Sequence, residues 1–403
     1  MTAQDQSLRV FTPAAIGGLR LRNRFIRSAA FEGMCPGGEP SAALVDYHRE
    51  LAAGGVAMTT VAYAAIAESG RSYSHQLCLW KTGTIPWLRR LTDAVHSEGA
   101  AASIQLAHGG YAASPAVADG RVIGPSAVFN RYTFSFPRPM TEGDIETVTE
   151  GFGLAASSAV ESGFDAVEIH AAHGYLLGQF LSPHTNRRND RWGGSLENRL
   201  QFPIDVIRRV RQAVGPEFPV LVKVNLRDGF RTGLDLDEAI EIAKRYEAEG
   251  VDALVLSGGF MTRTPIYVMR GDVPHKELRR DLPGFGHKLA ALLFGRFLVR
   301  KVPFTEAYFL EDAVHVRKVT RLPLVLVGGL RRLEQMEDTV GQGFEFLAMA
   351  RPFILEPDLV RKLETGAAVE ARCVPCNKCL ASVARGSVRC VLSNPTDAAS
   401  VGP

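Results

Sequence analysis

Short apolar runs of strand length recur along this chain and alternate with longer stretches of helical spacing. Eight strand-like runs stand out, at 24–29, 56–61, 101–106, 166–169, 219–224, 253–256, 324–327 and 344–349. Between them, segments such as 84–97, 144–161, 195–213 and 235–249 place apolar residues at helical intervals, and Ser195-Leu-Glu-Asn198 carries a helix-start signal. Repeated strand and helix predicts a parallel sheet with right-handed crossovers. Eight repeats predict a closed α/β TIM (β/α)8 barrel.

Two stretches are longer than such a barrel needs. Residues 111–140 are irregular and rich in proline and aromatics, which predicts a functional cover forming one wall of a substrate mouth. Residues 258–321 separate the sixth and seventh strands and contain an insertion. Its middle, 287–301, mixes leucine and phenylalanine with His287, Lys288, Arg296, Arg300 and Lys301, a cationic amphipathic pattern. A lid or partner-subunit contact is the favoured reading over binding at a membrane surface. Thr262, Arg263, Thr264 and Tyr267 are placed to face a pocket from this segment.

Composition narrows the function classes. The chain has 403 residues, 46% hydrophobic and 22% charged, enough for a large core in one barrel with extensions. A net charge of +3, evenly spread, gives no case for nucleic acid as a partner. No apolar run is long enough for a membrane span, and residues 1–6 lack a secretion signal, so a cytoplasmic protein with a small-molecule substrate is expected. Four of the six cysteines, Cys373, Cys376, Cys379 and Cys390, crowd into the last thirty or so positions. Four thiolates at that spacing suit zinc or an iron–sulfur cluster better than a disulfide framework, with unligated thiols as the alternative.

The densest candidate chemistry follows the fourth predicted strand. His170, His173 and Tyr175 sit just past its end, where a barrel builds its active site. Two imidazoles can hold a carbonyl oxygen while a phenol supplies a proton to a nearby carbon; the plainer alternative is that all three are packing residues. Gln105 ends the third strand with an amide that both donates and accepts. Lys223 lies in an otherwise apolar strand and needs a partner, either a bound anion or a structural carboxylate. Gly328 and Gly329 after strand seven, with Ala350 and Arg351 after strand eight, match the phosphate site that barrels build from those loops.

His170-Ala-Ala-His-Gly-Tyr175 and the run Leu181-Ser-Pro-His-Thr-Asn-Arg-Arg through Gly193-Gly-Ser-Leu-Glu-Asn-Arg199 closely resemble the Old Yellow Enzyme family of FMN-dependent oxidoreductases. The resemblance covers nearly the whole chain. It implies FMN held by the backbone of Ser28, Ala29 and Ala30, by Ala62, by Gln105 and Lys223 at the flavin's polar edge, and by Gly328, Gly329, Ala350 and Arg351 at its phosphate. Phe31 stands where many relatives place a cysteine, threonine or histidine. The implied activity is NAD(P)H-dependent reduction of the C=C bond of α,β-unsaturated carbonyl compounds, with His170 and His173 on the oxygen and Tyr175 as proton donor. The cysteine tail resembles the [4Fe-4S] segment of trimethylamine dehydrogenase and 2,4-dienoyl-CoA reductase, which admits amine or N-methyl oxidation as an alternative. A non-catalytic flavin-binding redox sensor is the rival from another class. The expected organisation is a homo-oligomer of an FMN-binding barrel, 1–365, with a Cys-rich C-terminal extension, 366–403.

Overall fold

The eight apolar runs form eight strands that close on themselves. In the computed structural model, which describes residues 8–393 apart from 119, 121, 132, 134, 281–291, 293–298, 300, 384 and 385, these are β1 (Phe25–Arg27), β2 (Met58–Ala65), β3 (Ala101–Ala107), β4 (Ala166–Ala171), β5 (Val220–Asn225), β6 (Ala253–Ser257), β7 (Leu324–Val327) and β8 (Phe346–Met349). Neighbours in sequence are neighbours in the barrel, and β8 pairs back onto β1 in parallel at Leu347↔Phe25. Helices α1 (Ala42–Ala53), α2 (Ile85–Ser97), α3 (Glu142–Glu161), α4 (Leu196–Val214), α5 (Leu236–Ala248), α6 (Leu310–Arg317), α7 (Leu333–Gly341) and α8 (Leu359–Glu364) follow their strands around the outside. Their starts are chemically marked. Thr141 and Asp144 form a capping box on α3, the Ser195 hydroxyl accepts the Asn198 N–H on α4, and Asp235 accepts the Glu238 N–H on α5.

Strand alternation decides what the barrel holds inside. Ile26, Met58, Ala166, Leu221, Ala253, Val255, Val325, Phe346 and Ala348 form one apolar cluster, joined by Ile16 and Leu21 from the hairpin Ala14–Ile16/Leu19–Leu21. That hairpin plugs the N-terminal end. Two and four residues further along the same strand faces, the inward positions turn polar: Ser103 and Gln105, Glu168 and His170, Lys223 and Asn225, and Ser257. The barrel is therefore apolar at its base and polar at its mouth.

The extra segments differ in part from the expectation. The end of the 258–321 stretch is α6, an ordinary barrel helix, so the excess is 258–309. Its described parts include two short helices, Pro265–Met269 and His275–Arg280, while most of the amphipathic 287–301 pattern lies outside the described residues. The C-terminal extension folds back onto the barrel: the Val388 N–H donates to the Glu32 carbonyl at 2.7 Å, and Gly33, at φ +69°, leaves no room for a Cβ against the Gly386 carbonyl. Among the described residues no helix is long and apolar enough to cross a membrane.

Candidate active site

The polar mouth opens into a cavity of about 1420 Å³, open solvent included, at the C-terminal ends of the strands. Its walls gather Ser28, Ala29, Ala30, Gln105, His170, His173, Tyr175, Lys223, Gly328, Gly329, Ala350 and Arg351, together with Cys373 and Cys379 of the tail. Ala62 stays outside it. The Ala62 N–H donates to the Glu32 carboxylate, which also pairs with Arg27 at 2.7 Å, so that amide serves a buried ion pair instead of a ligand.

Lys223 has the partner its burial requires. Its ammonium lies 2.9 Å from the Glu168 carboxylate, with the Ser28 hydroxyl at 3.4 Å, and the Gln105 amide nitrogen donates to the same Glu168. Sequence reasoning did not single out Glu168. Its signal was the alternation Glu168, His170 on one face of β4, with Gln105 beside Glu168 and Lys223 beside His170 in register. With one Gln105 N–H engaged by Glu168, its amide oxygen and second N–H are the groups left to meet a ligand.

His173 is held by three contacts. Its N–H donates to Asn225 Oδ1 at 3.1 Å, its Nε2 meets the Ser257 hydroxyl at 2.8 Å, and its carbonyl accepts the Met261 N–H at 2.9 Å. It sits at φ +58°, a left-handed conformation unusual for a side-chain-bearing residue. His170 lies edge-on to it, ring centroids 5.1 Å apart, and 4.7 Å from the Tyr175 ring. Burial, then the neighbouring imidazole and the Lys223 charge, push His170 well below its usual pKa. Burial and Lys223 bring His173 to about 3. Both rings are neutral at pH 7. The Ala172 N–H donates to His170 Nδ1 at 3.3 Å, which leaves the ring proton on Nε2.

Aromatic residues that carried no sequence motif complete this end. Tyr63 lies 5.0 Å from the Tyr175 ring and 5.5 Å from Phe31, and Phe31 stacks on Tyr73 at 4.7 Å. The remaining wall differs from the expected one. None of the described residues of 111–140 lines the cavity, and neither do Thr262, Arg263, Thr264 or Tyr267; Met261, Val268, Met269, Phe304 and Tyr308 do. Tyr111 turns its hydroxyl to Thr262, Thr264 hydrogen-bonds the Asp228 carbonyl, and Tyr267 packs on Phe309, which takes those side chains elsewhere.

At the opposite end, Gly328 and Gly329 take φ +101° and +74°, and a Cβ on Gly328 would meet the Tyr308 and Phe309 rings. The Arg351 guanidinium donates to the Met269 and Arg270 carbonyls and to Asn377 Oδ1, so it ties the β6 loop to the cysteine loop as well as facing the cavity. Arg331, next to these glycines, keeps a buried Nε with no partner among the described residues. A flat ligand with a polar edge on Gln105 and Lys223 and an anionic end at Gly328, Gly329 and Arg331 fits this arrangement, as FMN would. The four cysteines line one adjoining pocket with Arg351 and Asn377. Burial raises the Cys373 thiol to about 12 and the Cys379 thiol to about 11, and among the described residues no three side chains are grouped as a metal-ion site.

Known proteins resemble this chain in sequence and fold. A model of the NADH:flavin oxidoreductase / NADH oxidase family matches residues 9–266. A 4,4'-dithiodibutanoate disulfide reductase from Rhodococcus erythropolis is 40% identical over 95% of this chain and 94% of its own. The structure of a 2-naphthoyl-CoA reductase in complex with 2-naphthoyl-CoA superposes with a TM-score of 0.82 at 25% identity, covering 97% of this chain and 58% of that one. Histamine dehydrogenase from Rhizobium sp. 4-9 gives 0.79 at 27% identity, covering 96% and 52%. With the barrel, the histidine pair and the glycine loops in place, the chain belongs to the NADH:flavin oxidoreductase / NADH oxidase family, that of Old Yellow Enzyme.

Proposed function

We propose that this FMN-dependent NAD(P)H oxidoreductase reduces the activated C=C bond of α,β-unsaturated carbonyl compounds. The observation that carries the reading is the pair of buried neutral imidazoles beside a phenol, His170, His173 and Tyr175. When bound, FMN would supply the hydride-transfer chemistry between nicotinamide and substrate. The protein supplies position and polarisation. His170 offers its Nε2 proton to the carbonyl oxygen, and His173, oriented by Ser257 and Asn225, supports the same oxygen. Tyr175 gives its proton to the α-carbon. Phe31, Tyr63, Tyr73 and Met261 keep water from the reacting bond. In this reading Ser28, Ala29, Ala30, Gln105 and Lys223 hold the ring of FMN, and Gly328, Gly329, Ala350, Arg331 and Arg351 its phosphate.

Disulfide reduction is a second reading, favoured by the Rhodococcus erythropolis relative that matches this chain almost end to end. Amine oxidation, which the histamine dehydrogenase likeness admits, has less support, because an imidazole pair suits an oxygen better than a cationic nitrogen. The deciding experiment is anaerobic. The flavin is bleached with NADH or NADPH, then offered cyclohexenone or 4,4'-dithiodibutanoate, and histamine is offered separately to the oxidised protein. Return of the flavin bands with cyclohexenone supports the first reading; return with the disulfide alone replaces it with the second. A preparation that binds no FMN sinks both.

We also read Cys373, Cys376, Cys379 and Cys390 as ligands of a [4Fe-4S] cluster or zinc, on the ground that all four face one pocket. Iron, sulfide and zinc assays on anaerobically purified protein test it, and metal-free protein would end the reading.

A further inference from the structure

Glu168 is a buried acid that the proposed reaction leaves without a task. It is 3% exposed, and among the described residues no carboxylate lines the cavity, whose walls carry the cations Lys223, Arg331 and Arg351. Glu168 lies one step behind that wall. Its Oε1 is 2.9 Å from the Lys223 ammonium and accepts from the Gln105 amide nitrogen, and both of those side chains do line the cavity. Strand register makes the arrangement. Gln105 on β3 sits beside Glu168, and Lys223 on β5 sits beside His170, two residues further along the same face of β4.

A plain counter-ion would account for Lys223 alone. The second bond does more, because it fixes which way the Gln105 amide faces and so which of its groups remain for a ligand. One carboxylate thereby sets both a hydrogen-bonding pattern and a charge on the same part of the cavity wall. That charge sums close to zero, since the Lys223 ammonium faces the cavity with the carboxylate behind it. For a flavin the sum matters. Uptake of two electrons and one proton leaves a negative charge on the ring's polar edge, which a bare buried cation stabilises. A carboxylate paired to that cation takes much of the stabilisation away.

We propose that Glu168 is a positioning residue for the flavin: it orients Gln105 and Lys223 toward the ring's polar edge, and its negative charge holds the flavin's reduction potential down. This rests on the FMN-dependent reading, in which Gln105 and Lys223 hold the ring. By withholding stabilisation from the reduced ring, the carboxylate favours hydride delivery to an acceptor over storage of the electrons.

The measurement is the reduction potential of the bound flavin, from anaerobic reductive titration of the full-length, FMN-loaded protein beside a reference dye. Glu168→Gln keeps an oxygen for Gln105 and removes the charge. It should shift the two-electron equilibrium toward reduced flavin by about 10-fold or more, a rise of about 30 mV or more. Lys223→Met should shift it the other way. A role confined to folding would weaken oxidised and reduced flavin alike and leave the potential in place. Where Glu168→Gln does not retain FMN, Glu168→Asp carries the test. It keeps the charge but draws it back from the ammonium by one methylene, and should move the equilibrium about 3-fold in the same direction, about 14 mV. An unchanged or lowered potential in the Glu168 variant that holds FMN would overturn the proposal and leave the FMN reading standing. Wild-type protein that takes up no FMN would remove that reading and the proposal with it.

Discussion

Replacing Glu168 with glutamine tests whether Lys223 owes its buried position to that carboxylate. Both side chains are almost fully buried, and their charged atoms are 2.9 Å apart. At that separation, with an effective dielectric near 20, two unit charges attract by about 6 kcal/mol, most of which offsets the cost of taking both out of water. The single substitution leaves an unpaired buried ammonium, and removing one partner of such a pair costs about 3–5 kcal/mol. Glutamine keeps an oxygen for the Gln105 amide, so the loss reports the charge and not that hydrogen bond. Lys223→Met should cost a similar amount by stranding the carboxylate. The double variant strands nothing, and should be more stable than the sum of the singles by at least about 2 kcal/mol. The measurement is the urea-unfolding midpoint of all four proteins at matched free FMN. Additive losses, within about 0.5 kcal/mol, would refute the pairing and return Lys223 to the role of an uncompensated cation waiting for the flavin.

Other outcomes follow from the same geometry. Tyr175→Phe should slow reoxidation of the reduced flavin by cyclohexenone by about 100-fold or more while flavin reduction by NAD(P)H is kept, in anaerobic stopped-flow traces; equal loss in both half-reactions would remove Tyr175 as proton donor. Gly174 adopts φ +72° and faces the Phe260 ring, so Gly174→Ala should destabilise the protein by about 1–3 kcal/mol and misplace Tyr175; a variant with wild-type unfolding midpoint and turnover would contradict this. His108 and His173 are both held at about 3 by burial, below the unfolded value near 6.5. The unfolded chain therefore binds the extra protons. Stability should be flat with respect to these groups above about pH 6.5 and fall by about 1.4 kcal/mol per pH unit for each histidine as pH drops from there toward 3. Urea midpoints at pH 7, 6 and 5 that do not decline would count against buried neutral rings.

How much of this could be read in the sequence depended on whether a residue's partners were local. The barrel was legible because β5 and β6 are largely apolar runs, broken by Lys223 and the polar ends Asn225 and Ser257 and bounded by helical spacing, and parallel strands buried on both faces leave that trace. His170, His173 and Tyr175 were legible because all three lie within one strand end and its turn. Glu168 was overlooked because a carboxylate in an apolar strand takes its meaning from Gln105 and Lys223 on neighbouring strands, and only register reveals that they meet. Tyr63 was invisible for a related reason: β2 is irregular between Val61 and Ala64, so strict alternation does not say which side chain turns toward Tyr175.

The same distinction explains the cysteine tail. Spacing alone grouped Cys373, Cys376, Cys379 and Cys390, but nothing in it placed them beside the barrel mouth. Asn377 does that. Buried between two of the cysteines at φ +57°, it donates to the Arg270 and Asp272 carbonyls at 3.1 and 2.9 Å and accepts from Arg351. Asp272 returns a backbone hydrogen bond to the Pro375 carbonyl at 2.9 Å. One asparagine and one arginine therefore join three segments that are distant in sequence: the loop after β6, the turn after β8 and the cysteine loop. Since Arg351 also faces the cavity near Gly328 and Gly329, the cysteine pocket and the ligand cavity share a wall. A group bound in either one borders the same guanidinium, so electrostatic communication between the two needs no moving part.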